Sequence, residues 1–424
     1  MTDSPRPYAY AHVVCRWFLA RFRETELSMP VVPDTANSAV RLGTDVLLAS
    51  PRLRGARVGI VCNHASVDRS HRHIVDRLAD AKDVQIAAIF GPQHGFHSDV
   101  QDNMIETPDA ADPRRRVPVF SLYGDTREPT GEMLAGIDVL VIDLQDVGAR
   151  IYTFIYTMAN CLRAAARHGV PVIVCDRPNP IGGLQVEGAV LSAGFESFVG
   201  QFQIPMRHGM TIGELAALFN ELGGIGASLE IAPMERWDRR LYADQTGLPW
   251  VLPSPNMPTL DTAIVYPGTV LFEGTLLSEG RGTTRPFELV GAPGIDAEGF
   301  ATGMNALKLP GVYFRPTVFQ PTFQKHAKQT CGGCQIHVID RDDFRPVITG
   351  LALIGMFRRH DPTAFAWRPP PYEYEHRLLP IDILAGTDAL RTDVESDAPL
   401  RDVASRWRVD EDEFRRIQAP YLLY

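Results

Sequence analysis

The sequence has few cysteines, no long apolar run and no excess of basic residues. Six cysteines in 424 residues are too sparse for a disulfide framework, which a chain of this length does not need. No run of about 18 apolar residues occurs, so no segment is typical of a membrane-spanning helix. The 42 Lys and Arg residues against 51 Asp and Glu residues give a net charge of −9, with no basic patch to suit phosphates. Because of these absences, we expect no nucleic-acid partner and no membrane partner.

Three nucleotide-binding and hydrolase motifs are also missing. No Gly-rich phosphate loop ends in Lys-Ser or Lys-Thr, and no GxGxxG follows the first predicted strand. A GxSxG nucleophile elbow is absent as well. We therefore expect no nucleotide cofactor, and the sequence indicates no other cofactor.

The composition is that of a globular protein, and its apolar runs predict an α/β fold. Apolar residues make up 45% and charged residues 22% of the chain. Short Val- and Ile-rich runs without alternation suit strands covered on both faces. They occupy residues 57–62, 84–90, 117–122, 138–144, 170–175 and 229–232. Helical patterns between them predict a Rossmann-like, doubly wound, mostly parallel sheet.

The helical patterns and a change of texture predict two domains. Residues 72–81, 152–168 and 211–222 are amphipathic, and Thr211 followed by Glu214 makes a capping box. Later segments predict helices at 297–307 and 344–359, strands at 311–314 and 335–340, and a proline-rich loop at 367–374. We expect an irregular segment (1–37), a Rossmann-like catalytic domain (38–280) and a smaller α/β or α+β C-terminal domain (281–424).

The N-terminus and the cysteines carry weak signals. Arg16 and Arg21 interrupt the apolar segment 13–22, so no secretory signal is evident; Met29 is an alternative start, and cytoplasmic residence is the default. Cys331 and Cys334 have CxxC spacing, but no second pair of ligands stands nearby. A buried or turn-forming pair is favoured over a metal or redox site.

Polar residues follow four predicted strands where each strand ends, which is where open α/β sheets bind ligands. Any one Asp or Asn at such a place is more often a cap or turn former. Together they predict a functional site. The candidates are Asn63, His64 and Ser66 after the strand at 57–62, Gln93 and His94 after that at 84–90, and Asp143, Asp146, Arg150 and Tyr152 in and after that at 138–144. The fourth of these strands, at 170–175, is followed by Asp176-Arg177-Pro178-Asn179-Pro180.

A second polar cluster lies near the predicted domain boundary. It contains Asn256, followed by Glu279, Arg281, Thr283 and Arg285 in a glycine-rich stretch. Glycines let backbone approach a ligand closely, and two arginines beside threonines suit a carboxylate or phosphate. The alternative is an inter-domain loop in which Arg281 pairs with a neighbouring acid.

A metal site is the less favoured interpretation of the histidines. They crowd residues 64–97 together with two nearby carboxylates: His64, His71, His73, His94, His97, Asp99 and Asp102. Three imidazoles and a carboxylate suit zinc. However, His71 and His73 fall at a predicted exposed helix start, and His94 and His97 share no helical face. We expect no metal.

Several of these motifs, in order, resemble one family. They are Asn63-His64-Ala65-Ser66, the segment 90–95, Ser121-Leu122-Tyr123-Gly124, the segment 143–153, Asp176-Arg177-Pro178-Asn179-Pro180, Pro255-Asn256-Met257-Pro258, the segment 278–284 and Pro286-Phe287-Glu288. The chain resembles the NamZ-type exo-β-N-acetylmuramidases, glycoside hydrolase family 171, from about residue 40 to its C-terminus. The resemblance implies a Rossmann-like domain and a smaller C-terminal domain with the active site in the cleft between them.

The resemblance also implies a reaction: release of N-acetylmuramic acid from the non-reducing end of peptidoglycan fragments, in cell-wall recycling. This chemistry needs a proton donor and a second group that stabilises or attacks the oxocarbenium centre. It also needs a cation for the lactyl carboxylate, for which Arg150, Arg281 and Arg285 are the candidates. The expected partner is a muropeptide or related amino-sugar substrate.

Position 93 departs from the family pattern that the resemblance implies. The family has Glu there as its acid, whereas this chain has Gln93, which is not an acid. His94, oriented by Asp143 or Asp146, or Glu106 in the stretch 102–107 are possible replacements. Alternatively, the chain is a carbohydrate-binding or regulatory homologue that has lost hydrolysis. Glu279 is the first choice for a retained carboxylate and Asp146 the second.

Overall fold

A computed structural model describes residues 39–102 and 104–424 of the chain. The predicted irregular segment 1–37 and the alternative start at Met29 lie outside the described residues. The structure confirms the predicted α/β class, with a large mixed sheet and a smaller second sheet.

The large sheet has seven strands in the order β3-β4-β2-β1-β5-β6-β9. All neighbouring strands are parallel except β3 and β4. Their bounds are β1 Arg57–Cys62, β2 Gln85–Gly91, β3 Ala110–Ala111, β4 Pro118–Ser121, β5 Val139–Asp143, β6 Val172–Cys175 and β9 Leu229–Ala232. The chain moves outward from β1 to β2 and β4 and then returns to β5 on the other side of β1. This reversal makes the carboxyl ends of β1 and β5 a topological switch point.

Helices cover both faces of this sheet. They are α1 Gly43–Leu48, α2 Ile74–Asp80, α3 Gly131–Leu134, α4 Phe154–His168 and α5 Ile212–Leu222. Ile60 of β1 packs in one apolar cluster with Leu78 of α2, whereas its neighbour Val61 packs in another with Leu162 and Leu215. Successive strand residues thus face opposite layers, which explains why the strands lack polar alternation.

The C-terminal part is built on an antiparallel sheet in the order β10-β12-β11. Its strands are β10 Leu289–Ala292, β11 Val312–Phe319 and β12 Cys331–Val338, and a separate two-stranded sheet joins β7 Glu187–Val190 to β8 Pro205–Arg207. The remaining helices are α6 Leu260–Thr269, α7 Ala297–Ala306, α8 Pro346–His360, α9 Pro380–Ala385, α10 Ala389–Glu395 and α11 Leu400–Gln418. The rings of Phe300 and Phe357 stack at 3.9 Å and join α7 to α8.

The CxxC pair lies within β12 and not in a turn. Cys331 and Cys334 are both buried, as expected. Residues three apart in a strand face opposite sides and lie about 10 Å apart, so the two thiols cannot share a metal ion or a disulfide. Gly332 and Gly333 stand where a Cβ would clash with the carbonyls of Ile295 and Val290. Close strand packing therefore accounts for the two glycines.

Local sequence patterns predicted most helix ends to within two residues of their positions in the structure. Thr211 caps α5 with the predicted capping box, and Gly169 ends α4 at φ 68°. Helix α2 begins at Ile74, later than predicted, because the His73 side chain accepts a hydrogen bond from the Val75 amide as its N-cap. Strands β11 and β12 are longer than predicted.

The predicted boundary between residues 280 and 281 separates the large sheet from β10-β12-β11 and stays a prediction. Residues 39–424 form one compact unit. No helix of the described residues is long and apolar enough to cross a bilayer.

Candidate active site

A small cavity of about 50 Å³ brings together residues from distant parts of the chain. Its walls come from the segment after β2, the start of α4, the loop at residue 199, residues 254–257, α6 with the 3-10 turn that follows it, and two later loops. The lining residues are Gln93, His94, Ile151, Tyr152, Thr153, Phe154, Val199, Ser254, Asn256, Met257, Tyr266, Glu273, Arg281, Phe287, Tyr372 and Glu373. Five of these, Gln93, Glu273, Arg281, Tyr372 and Glu373, are here called the pocket cluster.

Gln93 is held in the pocket wall two residues after β2. Thr153, the residue before α4, donates from Oγ1 to Gln93 Oε1 at 2.7 Å. The amide oxygen is thereby occupied, and the side chain of Gln93 also hydrogen-bonds Glu373. This second bond lowers the pKa of Glu373, so the Gln93 amide nitrogen is its donor.

Glu373 is a buried carboxyl group that sequence reasoning did not single out. It sits in the proline-rich loop 367–374, only 5% exposed, and Tyr123 Oη donates to its Oε2 at 3.0 Å. Burial raises the pKa of Glu373 to about 7, and the charge of Glu273 adds to this, although the bonds from Tyr123 and Gln93 oppose it. Its φ of 44° is a left-handed conformation unusual for glutamate, of a kind that clusters at functional sites.

Glu273, in the 3-10 turn Val270–Gly274, has the opposite electrostatics. Arg281 Nη2 donates to its Oε1 and Tyr372 Oη to its Oε2, both at 2.7 Å. Burial alone would raise the pKa of Glu273, but the charge and hydrogen bond of Arg281, the Tyr372 hydroxyl and Lys325 lower it below its usual value. The cavity therefore holds two carboxyl groups whose environments push their pKa values apart.

His94 lines the cavity as a neutral imidazole. Its Nδ1 lies 2.7 Å from the Val100 carbonyl oxygen, which only accepts, so Nδ1 carries the hydrogen. Burial lowers the pKa of His94 to about 4, and the bond to Val100 only partly opposes this. Neither Asp143 nor Asp146 orients the ring, contrary to the hypothesis for His94 as an acid.

Glu279 lies behind the cavity and not among its lining residues. Lys325 Nζ donates to Glu279 Oε2 at 2.9 Å, and Arg281 Nε is 3.5 Å from Oε1. Arg281 therefore stands between two carboxylates, as the inter-domain-loop alternative expected, while it also lines the cavity. The predicted role of Glu279 as the retained carboxylate stays a prediction; by position, Glu273 is the ionised carboxylate of this pocket.

The polar residues at the switch point form a closed network, called here the strand-end cluster: Asn63, Ser66, Asp143 and Arg177. Asn63 Nδ2 donates to Ser98 Oγ and to the Pro253 carbonyl. Ser66 Oγ donates to the Asp143 carbonyl at 2.5 Å. The Asp143 carboxylate accepts Arg177 in a bidentate pair and Thr44 Oγ1 at 3.0 Å. None of the cluster lines the described cavity.

Three further candidates are engaged elsewhere among the described residues. Asp146 accepts the Gly148 amide at 2.8 Å and faces His208 Nε2 at 3.3 Å. His64 lies outside the cavity lining, and burial lowers its pKa. Glu106 has a side chain 51% exposed, and the hydrogen bond from Arg127 lowers its pKa, so its carboxyl group is not poised as an acid.

The three arginine candidates separate clearly. Arg150 is fully buried, donates to the carbonyls of Leu384 and Ala385 at 3.0 and 2.8 Å, and so binds the C-terminal end of α9. Burial lowers the pKa of Arg150 to about 10. Arg285 is exposed and pairs with Glu288 at 3.1 Å. Arg281 alone of the three lines the cavity.

The other substrate-binding candidates divide in the same way. Tyr152 and Asn256 line the cavity, and Asn256 Nδ2 donates to the Gln101 carbonyl at 2.9 Å. Thr283 turns inward to its own loop, with Oγ1 donating to the Gly280 carbonyl at 2.6 Å.

The crowded histidines lie near one another but do not form a metal-ligand group among the described residues. His73 Nε2 lies 2.8 Å from the Asn63 carbonyl and packs edge-on to Phe96. Over residues 39–102 and 104–424, no three His, Cys, Asp or Glu side chains are grouped as metal ligands.

Sequence reasoning missed several residues of the pocket, most of them in loops and one, Tyr266, in helix α6. Thr153, Ser254, Tyr266, Tyr372 and Glu373 all line the cavity without having been candidates. A signal existed for the last two, because an aromatic-acidic run follows the prolines of the loop 367–374. Nothing in the sequence linked that loop to position 93.

Comparison with known proteins adds similar sequences and folds. The family model described as exo-beta-N-acetylmuramidase NamZ, N-terminal, matches residues 58–261, and its C-terminal counterpart matches residues 264–424. Over 399 residues the chain is 44% identical to the peptidoglycan beta-N-acetylmuramidase NamZ of Bacillus subtilis (strain 168), covering 92% of this chain and 94% of that protein.

Two solved structures of DUF1343 family proteins from Bacteroides fragilis NCTC 9343 share the fold. One superposes with a TM-score of 0.83 at 35% identity, and the other with 0.70 at 26% identity. Each comparison covers 91% of this chain and 99% of the other.

Proposed function

Because the chain belongs to the NamZ family of exo-β-N-acetylmuramidases, we propose that it is a glycoside hydrolase that releases N-acetylmuramic acid from the non-reducing ends of peptidoglycan fragments. The Bacillus subtilis relative is named as a peptidoglycan beta-N-acetylmuramidase. Both family models, N-terminal and C-terminal, match this chain, and the described cavity draws its walls from both matched regions.

The observation that carries the proposal is the pair of carboxyl groups in one cavity. Glycoside hydrolysis needs one carboxyl that can give a proton to the leaving oxygen and a negative charge near the developing oxocarbenium ion. Glu373 and Glu273 have pKa values displaced upward and downward respectively, for the physical reasons given above. Such divergence supports an acid–base assignment at neutral pH.

Arg281 is the guanidinium that we assign to the lactyl carboxylate of muramic acid. Of the three arginines considered for this role, it is the one in the cavity wall. Glu273 and Glu279 hold it in place, which fixes its orientation before the substrate arrives. The charge of Arg281 is already partly neutralised by these two carboxylates before a substrate carboxylate binds. We therefore expect Arg281 to contribute more to the choice between substrates with and without a lactyl group than to the binding affinity.

The test is hydrolysis of defined disaccharides by the purified full-length protein. N-acetylmuramyl-β-1,4-N-acetylglucosamine should yield both monosaccharides, detected by chromatography. Two matched compounds serve as controls: the disaccharide with the sugars in reverse order, and N,N′-diacetylchitobiose, which lacks only the lactyl group. We expect at least about tenfold slower release from N,N′-diacetylchitobiose, equivalent to losing one charge-assisted contact.

The outcomes separate the two functions considered. Release of N-acetylmuramic acid from the first compound alone supports an exo-acting muramidase. Saturable binding of that compound without release, measured by calorimetry, would instead support a carbohydrate-binding homologue and refute the hydrolase. Equal rates on all three compounds would refute the substrate assignment.

A further inference from the structure

The side chain at position 93 cannot supply the proton that glycosidic cleavage requires. An amide has no acidic proton in the useful range, and both ends of the Gln93 amide are already engaged. What Gln93 does is donate a hydrogen bond to a neighbouring carboxyl group. The structure thus links the unusual residue to another that has the missing chemistry.

We propose that Glu373 is the general acid of this chain, with Gln93 and Tyr123 as positioning residues that hold its carboxyl group in the cavity wall. This assignment rests on the proposed glycosidase function and names the group that performs its first step. The proposed acid therefore lies not in the segment after β2, where the family pattern has it, but in a loop more than 200 residues later in the chain.

The loop that carries Glu373 is fixed on both sides. The preceding residue, Tyr372, donates to Glu273 at 2.7 Å across the cavity. Tyr123, which donates to Glu373, is itself covered by the Arg127 guanidinium at 4.2 Å from its ring centroid. Arg127 also covers the ring of Tyr374 at 4.9 Å. A carboxyl group held by neighbours that are themselves fixed meets the positioning demand of proton transfer.

Charged and titratable groups surround Glu373, and those that favour its ionised form (Tyr123, Gln93 and Arg127) are outweighed by burial and by the charge of Glu273. The surrounding groups are Tyr123, Arg127, Tyr266, Glu273 and Tyr372, together with the Gln93 amide. Burial is the main cause that raises the pKa of Glu373 to about 7, and the ionised Glu273 raises it further. Arg127 acts in the opposite direction.

The other acids suggested by the sequence fit the role less well. The pKa of His94 is lowered to about 4 by burial, so its ring carries no spare proton at neutral pH. Glu106 is exposed and bonded to Arg127 outside the cavity. Glu273 is bonded to Arg281, which favours its ionised form.

The Glu373 carboxyl gives its proton to the glycosidic oxygen while the bond from that oxygen to C1 breaks, and the bonding electron pair stays on the oxygen. The sugar leaves as an alcohol, C1 becomes oxocarbenium-like, and Glu373 becomes a carboxylate. Water then adds to C1 and returns one proton to a pocket carboxylate, so the overall reaction is hydrolysis with no net proton change.

The discriminating experiment compares two leaving groups in the Glu373→Gln variant. From N-acetylmuramyl-N-acetylglucosamine the leaving group is N-acetylglucosamine, whose oxygen must be protonated as the bond breaks. From para-nitrophenyl N-acetylmuramide the leaving group is a stabilised phenolate, which needs no proton. We expect kcat on the disaccharide to fall about 10²- to 10⁴-fold and kcat on the nitrophenyl substrate to fall less than about tenfold. Glu288→Gln is the matched control, since Glu288 is equally buried but outside the cavity; it should leave both rates nearly unchanged.

A second variant keeps the test decisive if Glu373→Gln fails to fold. Tyr123→Phe retains Glu373 but removes a donor that favours its ionised form. The alkaline limb of the kcat–pH profile should therefore move upward by about one pH unit. A limb that does not move would overturn the assignment.

The failure of this assignment differs from the failure of the proposed function. A wild-type protein that cleaves neither substrate refutes the glycosidase. An active wild type whose Glu373→Gln variant loses both rates equally, or loses neither, refutes only the role of Glu373. Selective loss on the disaccharide supports both.

Discussion

Two buried polar regions in this chain contrast sharply. In the strand-end cluster, Asp143 is matched by a bidentate guanidinium and a hydroxyl. In the pocket cluster, Glu273 and Glu373 face one cavity, and their pKa values are displaced in opposite directions. A network with every group satisfied makes a fold rigid, whereas unequal proton affinities in a cavity make chemistry possible. Burial of charge alone therefore does not indicate which region is functional.

The largest effect that we expect tests the structural side of this contrast. Asp143→Asn removes the charge that pairs with buried Arg177, leaving an uncompensated guanidinium. The free energy of unfolding should fall by about 3–5 kcal/mol, while kcat per folded molecule changes less than about threefold. Urea unfolding and active-site-normalised kinetics measure the two quantities.

An exposed Asp–Arg pair in the same sheet provides the control. Asp138 accepts a hydrogen bond from Arg57 at 2.8 Å. This pair lies at the amino ends of β5 and β1, away from the strand-end cluster, and is in contact with solvent. Asp138→Asn should change stability much less, because water screens and replaces the pair. A large loss of kcat in folded Asp143→Asn would show that the strand-end cluster takes part in the reaction and would remove the contrast.

The next largest effect tests the pocket side. Glu273→Gln keeps the shape of the side chain and removes the negative charge next to the proposed oxocarbenium centre. We expect kcat to fall about 10²- to 10³-fold, the range for losing one preorganised electrostatic group. The loss should be similar for sugar and nitrophenyl leaving groups, because charge stabilisation at C1 is needed for both.

Glu288→Gln again serves as the comparison. Glu288 accepts Thr262 Oγ1 at 2.8 Å and Arg285 at 3.1 Å, so it too is a buried, paired carboxylate. If both variants lose the same activity, the effect of Glu273→Gln comes from weakened packing and the electrostatic role is wrong.

The fold was largely predictable because its signals are local. Unalternating strands such as β1 and β5, the capping box at Thr211 and the terminal Gly169 each act within a few residues. These patterns predicted the α/β class and the edge of the sheet where polar residues gather. The full lengths of β11 and β12 were not predicted, because exposed and glycine-containing strands lack an apolar pattern.

The pocket was only partly predictable because its contacts are long-range. Gln93, His94 and Arg281 were candidates from motifs, but Glu373 reaches the cavity from a loop with no strand end to mark it. Conversely, Asn63 and Asp143 were predicted from their positions at strand ends and are bonded within the fold. Strand-end residues and catalytic residues are both polar and buried, and only their partners distinguish them.

The smallest predicted effect concerns Gln93, which departs from the family pattern and contacts the proposed acid Glu373. Gln93→Glu replaces a hydrogen-bond donor to Glu373 with a second carboxyl group, while Thr153 can still donate to position 93. Two adjacent carboxyl groups hold a shared proton more tightly than one. Since the proposed acid acts when protonated, the alkaline limb of the kcat–pH profile should move up by about one unit, with little change below pH 6. Gln335→Glu, which adds the same charge beside Arg315 on the small sheet, should not move it. An unmoved limb in Gln93→Glu would mean that the carboxyl group limiting the rate is not in contact with position 93, and the pocket cluster would lose its distinction from the strand-end cluster.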